Sequence, residues 1–152
     1  MTELLTSLEP RYDICERKSS GVIHMMVRGF FEPVILNQHF DSNREVVERW
    51  RKKGQRIRVL IDATSLLPHT PECQQIVQSA TRSIYQADDK VAVLVSSSLV
   101  KMQMRRALKQ GETIEFFVSE RAASLWLCPS LVTAARGEVG PSDGRRTSEN
   151  AY

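Results

Sequence analysis

The chain has 152 residues, 41% hydrophobic and 26% charged, which suits one globular domain and leaves little room for a second core. Its net charge of +3 is too mild to imply an acidic or nucleic-acid partner by itself. No run stays apolar for the ~18 residues a membrane-spanning helix needs, and the opening MTELLTSLEP carries Glu3 and Glu9 where a signal peptide would be basic.

Residues 1–10 read as a short lead-in closed by Pro10. Tyr12 to Lys18 alternates like a half-buried strand, and Val22 to Arg28 is a second. The short Ser19-Ser20-Gly21 connection predicts an antiparallel hairpin. Pro33 suits a first helical turn. Leu36, Phe40, Val46, Val47 and Trp50 then keep to one side at helical spacing, with a possible restart at the capping-box pattern Ser42 to Glu45. Gly54 stops this helix after basic residues that suit its negative end.

Ile57 to Ile61 is a β-branched strand leading into Asp62, followed by an expected loop over 62–70. Thr70-Pro71-Glu72 starts a helix that should reach about Gln86. Val91 to Val95 is continuously apolar, as expected for a strand covered on both faces. Ser96 to Ser98 caps a helix from Leu99 to Lys109, Ile114 to Val118 is the last strand, and Ser119 caps a short helix anchored by Leu125 and Trp126. Residues 129–152 are rich in Gly, Ser, Thr and charge and are expected to be a disordered tail. The result is one α/β domain over 11–128. Its mixed sheet of about five strands combines an antiparallel hairpin with parallel strands, flanked by about four helices. Cys15, Cys73 and Cys128 are odd in number and far apart, so no disulfide framework or metal site is expected. They read as small buried hydrophobes in a cytoplasmic protein.

Four stretches carry a resemblance to a known family. They are Val27-Arg28-Gly29, Arg56 to Asp62, Asp89 to Val95, and above all Ile114 to Leu127, a late strand followed by Ser119-Glu120-Arg121-Ala122 and Trp126-Leu127. In order and length the chain resembles the STAS domain, especially its SpoIIAA-like branch. The resemblance implies a regulatory module that binds a protein partner and is switched by phosphorylation of a Ser after the third strand. That site usually reads Asp-Ser-Ser-Gly. Here the corresponding stretch, Asp62 to Thr70, departs from it and offers Thr64, Ser65 and Thr70 instead. The branch is also similar to lipid-carrier folds, which implies a small apolar ligand or peripheral membrane contact.

In open α/β sheets ligands meet the carboxyl ends of the parallel strands. Those ends gather Asp62, Thr64, Ser65, His69, Thr70, Ser96, Ser97 and Ser98. Hydroxyls beside two helix N-termini are candidates for phosphorylation or anion binding, with Asp62 and His69 as loop support. The plain alternative is that Thr70 and one serine are only caps. Asp62, Ser65 and His69 lack the elbow and oxyanion hole of a catalytic triad, so no catalytic residue and no cofactor is assigned. His24 and His39 read as structural. Lys101, Arg105 and Lys109 form a basic stripe opposite Val100, Met104, Ala107 and Leu108. No aromatics interleave with it, which argues against nucleic acid.

The reading expected first is therefore a non-enzymatic module binding a protein partner through 62–70. The alternative is a small-molecule or lipid carrier with peripheral membrane contact, and a remote one is an enzyme of unknown class, which would require a deep pocket with a convergent acid–base pair. An apolar cavity beside the first helix would favour the carrier. A solid core with a flat patch at Leu66 and Leu67 would favour the protein partner.

Overall fold

In the computed structural model, residues 8–108 and 111–129 are described. Strands β1 (Arg11–Arg17) and β2 (Val22–Gly29) form the expected antiparallel hairpin, with Ile14 opposite Met25. Helix α1 (Pro33–Lys52) is continuous and does not restart at Ser42. Then follow β3 (Arg58–Leu66), α2 (Pro71–Ile84), β4 (Lys90–Leu94), α3 (Ser98–Leu108), β5 (Ile114–Phe117) and α4 (Glu120–Leu127). The expected α/β class is thus found, with five strands in the order β1-β2-β3-β4-β5 and β2 to β5 parallel.

Each parallel connection steps to the next strand in the same direction. Right-handed crossovers of that kind place their helices on one face. Accordingly α1, α2 and α3 share one apolar core with Ile23, Met25, Val59, Val91, Val93 and Phe116. The alternate strand residues Val22, Leu60, Ala92 and Leu94 pack on α4 through Ala123 and Leu127. The continuous apolar run of β4 is explained by this: its odd and even positions face two different cores. The four-residue spacing of Ala123 and Leu127 makes them the anchors of α4, in place of the expected Leu125 and Trp126, which are only half-buried. Trp126 lies over Phe117 and over the Lys90 ammonium, which also donates to its carbonyl at 3.1 Å.

The apolar stripe of α1 is wider than the hydrophobic residues alone suggested. Leu36, His39, Phe40, Asn43, Val46, Val47 and Trp50 are all buried, an unbroken i, i+3, i+4, i+7 series. The helix is fixed at its far end by charge. The Arg51 guanidinium donates to both oxygens of buried Asp89, at 3.1 and 2.9 Å, and to the Ile84 carbonyl at 3.0 Å. The Trp50 indole and Arg49 both donate to Glu16 on β1, and these bonds hold its carboxyl below the usual range.

The expectation for the cysteines holds only for Cys73. Cys128 is half-buried and Cys15 is exposed, because β1 is an edge strand whose outer face no described helix covers. Lys109 and residues 130–152 of the expected tail lie outside the described residues.

Gly29 joins the lead-in to the sheet. The Phe30 N–H donates to the Leu8 carbonyl at 2.9 Å, and the Leu67 N–H donates to the Gly29 carbonyl at 3.0 Å. Gly29 has φ +86°, and a Cβ there would collide with the Glu9 carbonyl. Gly54 has φ +75° but open space around it. Gly54→Ala should therefore cost about 1 kcal/mol, the left-handed backbone term alone. Gly29→Ala should cost at least about 2 kcal/mol, because backbone must also move. Urea denaturation of the two variants checks this, and equal losses would contradict it.

Candidate functional site

The carboxyl ends of the strands do not hold the expected loop. β3 continues to Leu66, so Asp62, Thr64 and Ser65 lie on a strand. From the pair Met26–Asp62 to the pair Arg28–Ser65, two steps along β2 match three along β3, which is a β-bulge. The Asp62 carboxylate serves this irregularity, accepting from the Thr64 N–H at 3.0 Å and the Thr64 hydroxyl at 2.7 Å. The bulge also resets side-chain alternation. Ala63 and Leu66 both turn to the helical side, while Thr64 and Ser65 between them are exposed.

The other hydroxyls are exposed, and two of them cap helices. Thr70 accepts from the Cys73 N–H at 3.2 Å, and Ser97 accepts from the Val100 N–H at 3.2 Å. Ser96 and Ser98 flank that cap at the surface. Asp62 and His69 are not brought together. Asp62 lines an open depression on the α4 side with Asp13, Cys15, Arg17, His24 and Glu120, whereas His69 reaches the opposite side of the sheet. In the basic stripe Lys101 is half-buried, and Arg105 pairs with Glu115 at 3.4 Å. Among the described residues no group of three His, Cys, Asp or Glu is placed to hold a metal ion. No helix among them is long and apolar enough to cross a membrane.

The feature that stands out lies inside the helical side. A cavity of about 80 Å³ sits between the sheet and the three helices. Val27, Ile61, Ala63, Leu66, Val91, Val93, Ile114 and Phe116 form its floor. Phe31, Leu36, His39, Phe40 and Asn43 wall one side, Val77, Thr81 and Tyr85 the next, and Met104 and Leu108 of α3 the last. One water needs only ~10–15 Å³, and well-packed interiors hold few voids larger than that. A fully enclosed void of this size would cost about 2 kcal/mol at roughly 24 cal/mol per Å³, which is the upper bound for this space.

Its polar groups are few. The Tyr85 hydroxyl donates to Asn43 Oδ1 at 3.0 Å, and burial pushes that phenol well above its ordinary range. The Thr81 hydroxyl donates to the Val77 carbonyl one turn back, at 2.8 Å. Two atoms are left over: His39 Nδ1 and His69 Nδ1 are buried with no hydrogen-bond partner among the described residues. His39 is 3% exposed and packed by Tyr12 and Phe40, with ring centroids at 5.0 and 5.1 Å. His69 meets the edge of Phe31 at 6.2 Å. Desolvation lowers the pKa of both imidazoles, that of His39 to about 4.

Sequence reasoning placed His39 among structural residues and His69 as loop support. The signal that would have singled out His39 is its place on the apolar stripe of α1. An imidazole there must be desolvated, and its partner must come from elsewhere in the fold.

The sequence matches no family model and no curated protein. Among solved structures the chain is similar to an uncharacterised protein of the DUF3478 family with a SpoIIAA-like fold, from Shewanella loihica PV-4. The two superpose with a TM-score of 0.63 at 18% identity, over 79% of this chain and 96% of the other. The fold is therefore SpoIIAA-like, as the sequence resemblance implied, and at this identity the likeness speaks for fold alone.

The buried imidazole makes stability depend on pH. As pH falls below 6.5 the unfolded chain takes up a proton that folded His39 refuses until about pH 4. Stability present above pH 6.5 is thus lost as pH falls toward 4, by about 2 kcal/mol between pH 7 and 5 from this group. His39→Leu should lose correspondingly less over that interval. Urea midpoints at the two pH values measure it, and an unchanged pH dependence in the variant would contradict the burial of this ring.

Proposed function

We propose that this chain is a non-enzymatic module that binds a small, largely apolar molecule in the cavity between α1, α2, α3 and the sheet. The observation that carries the reading is the cavity itself, apolar on nearly every side and beside the first helix. The protein-partner reading would be favoured by a solid core with a flat patch at Leu66 and Leu67. Instead both are half-buried, and Leu66 lines the cavity. A phospho-switch at Thr64 has little support, since its hydroxyl and N–H are engaged by Asp62.

Access fits a ligand site. The three walls are not held equally. α1 is tied by Arg51 to Asp89 and by Asn43 to Tyr85. α3 has no fully buried residue and offers the cavity only the half-buried Met104 and Leu108. Although Gln78 bonds its Ala107 carbonyl and Arg105 pairs with Glu115, it buries the least. It is therefore the element whose shift uncovers least apolar surface, both to admit a ligand and to enlarge a space about half the ~150 Å³ known to admit benzene.

Benzene added to saturation should shift the methyl resonances of Val77, Met104 and Ile114 and leave Leu127, on the opposite face, unmoved. A bound ligand at a hundred times its dissociation constant should add about 2.7 kcal/mol of stability. Ala63→Leu, which fills the cavity floor, should abolish both effects in a protein that still unfolds cooperatively. If no methyl moves at saturating benzene, the cavity is not a binding site.

A further inference from the structure

Among the polar atoms of the cavity, the two unpaired histidine nitrogens stand apart. Asn43 and Tyr85 satisfy each other, and Thr81 bonds its own helix. His39 comes from α1 and His69 from the segment before α2, so they are distant in sequence, yet both imidazoles line one cavity with a buried, unpartnered Nδ1. An unsatisfied buried polar atom costs about 1–3 kcal/mol. Two such atoms on side chains that line one void, added to the void itself, bring these losses of stability to neighbouring residues. A ligand that bonds them recovers these losses on binding.

The lining also restricts the ligand's charge. Among the described residues it contains no Lys, Arg, Asp or Glu. A carboxylate or ammonium would leave water with no fixed opposite charge to meet it, which costs more than one hydrogen bond returns. A neutral imidazole, in contrast, offers one N–H and one bare nitrogen. Its natural complement is a group that can donate to the bare nitrogen or accept from the N–H. A hydroxyl does both.

Resting on the ligand reading above, we infer that the cavity takes an uncharged, largely apolar alcohol or phenol whose hydroxyl bonds the Nδ1 atoms of His39 and His69. Both rings are neutral at pH 7, since burial holds their pKa values down. The aromatic neighbours Phe31, Phe40 and Phe116 surround the apolar body.

Phenol and toluene, near-isosteres that differ in a hydroxyl against a methyl, separate the two readings when titrated into the full-length protein at pH 7. The expected result is that phenol binds at least about tenfold more tightly than toluene, because a site built for a hydroxyl rejects the analogue lacking it. The Nδ1 resonance of His39 should shift with phenol and not with toluene. Benzoate should not bind. In His39→Leu the preference for phenol should fall to near unity while toluene still binds. His69→Leu, at a less buried position, repeats the test if the first variant is too unstable. Toluene binding as well as phenol, or a preference unchanged in both variants, overturns the hydroxyl inference and leaves the apolar site standing. Binding of neither overturns the site, and the inference with it.

Discussion

Three parallel crossovers that step in one direction across the sheet constrain everything else in this molecule. Because such crossovers share a hand, α1, α2 and α3 must crowd onto one face of β2 to β5. The opposite face is left to α4, which covers β3 to β5 and the start of β2 at Val22 and leaves the rest of the β1–β2 side as an open depression. One core is therefore built by three helices and a sheet together, and the other by a single two-turn helix.

Filling the larger core requires the three helices to reach the same depth, and they do not. α1 buries a continuous stripe and is locked at its end by the Arg51–Asp89 pair. α2 is anchored by Cys73 and Ile84, with Ile76, Val77 and Ala80 partly buried between them. α3 rides highest and contributes only half-buried side chains. The space that remains under α3 and between α1 and α2 is the cavity. Its chemistry follows from what the neighbouring stripes supply, which is aliphatic and aromatic surface with two imidazoles set in it. A cavity and two unpaired nitrogens oppose stability, and their joint occurrence at one place is the physical ground for reading function there.

Much of the architecture was legible locally. Thr70 and Ser119 act as the caps their positions announced, accepting from the N–H groups of Cys73 and Ala122. The unbroken apolar run of β4 correctly implied cover on both faces. Other features depended on pairing partners that no local pattern reveals. β3 runs on through Thr64 and Ser65 because β2 is there to pair with them, and the bulge that turns Leu66 inward exists only in that pairing. Cys15 is exposed because β1 lies at the sheet edge, a fact about strand order and not about its neighbours in sequence.

The sequence by itself determined the order of elements, their caps, the buried stripe of α1 and the SpoIIAA-like fold. The order, caps and stripe rest on periodicity and turn chemistry, which act over a few residues, and the fold family on a resemblance carried by four stretches, above all Ile114 to Leu127. The tertiary structure alone decided where the packing falls short and which buried polar atoms go without partners. A void is a difference in volume among side chains from Val27 to Phe116, and an unpaired nitrogen is defined by what distant elements fail to bring to it. Neither quantity exists until the helices are laid on the sheet. That is why His39 reads as one more residue of a stripe along the chain, and as half of a candidate binding site in the fold.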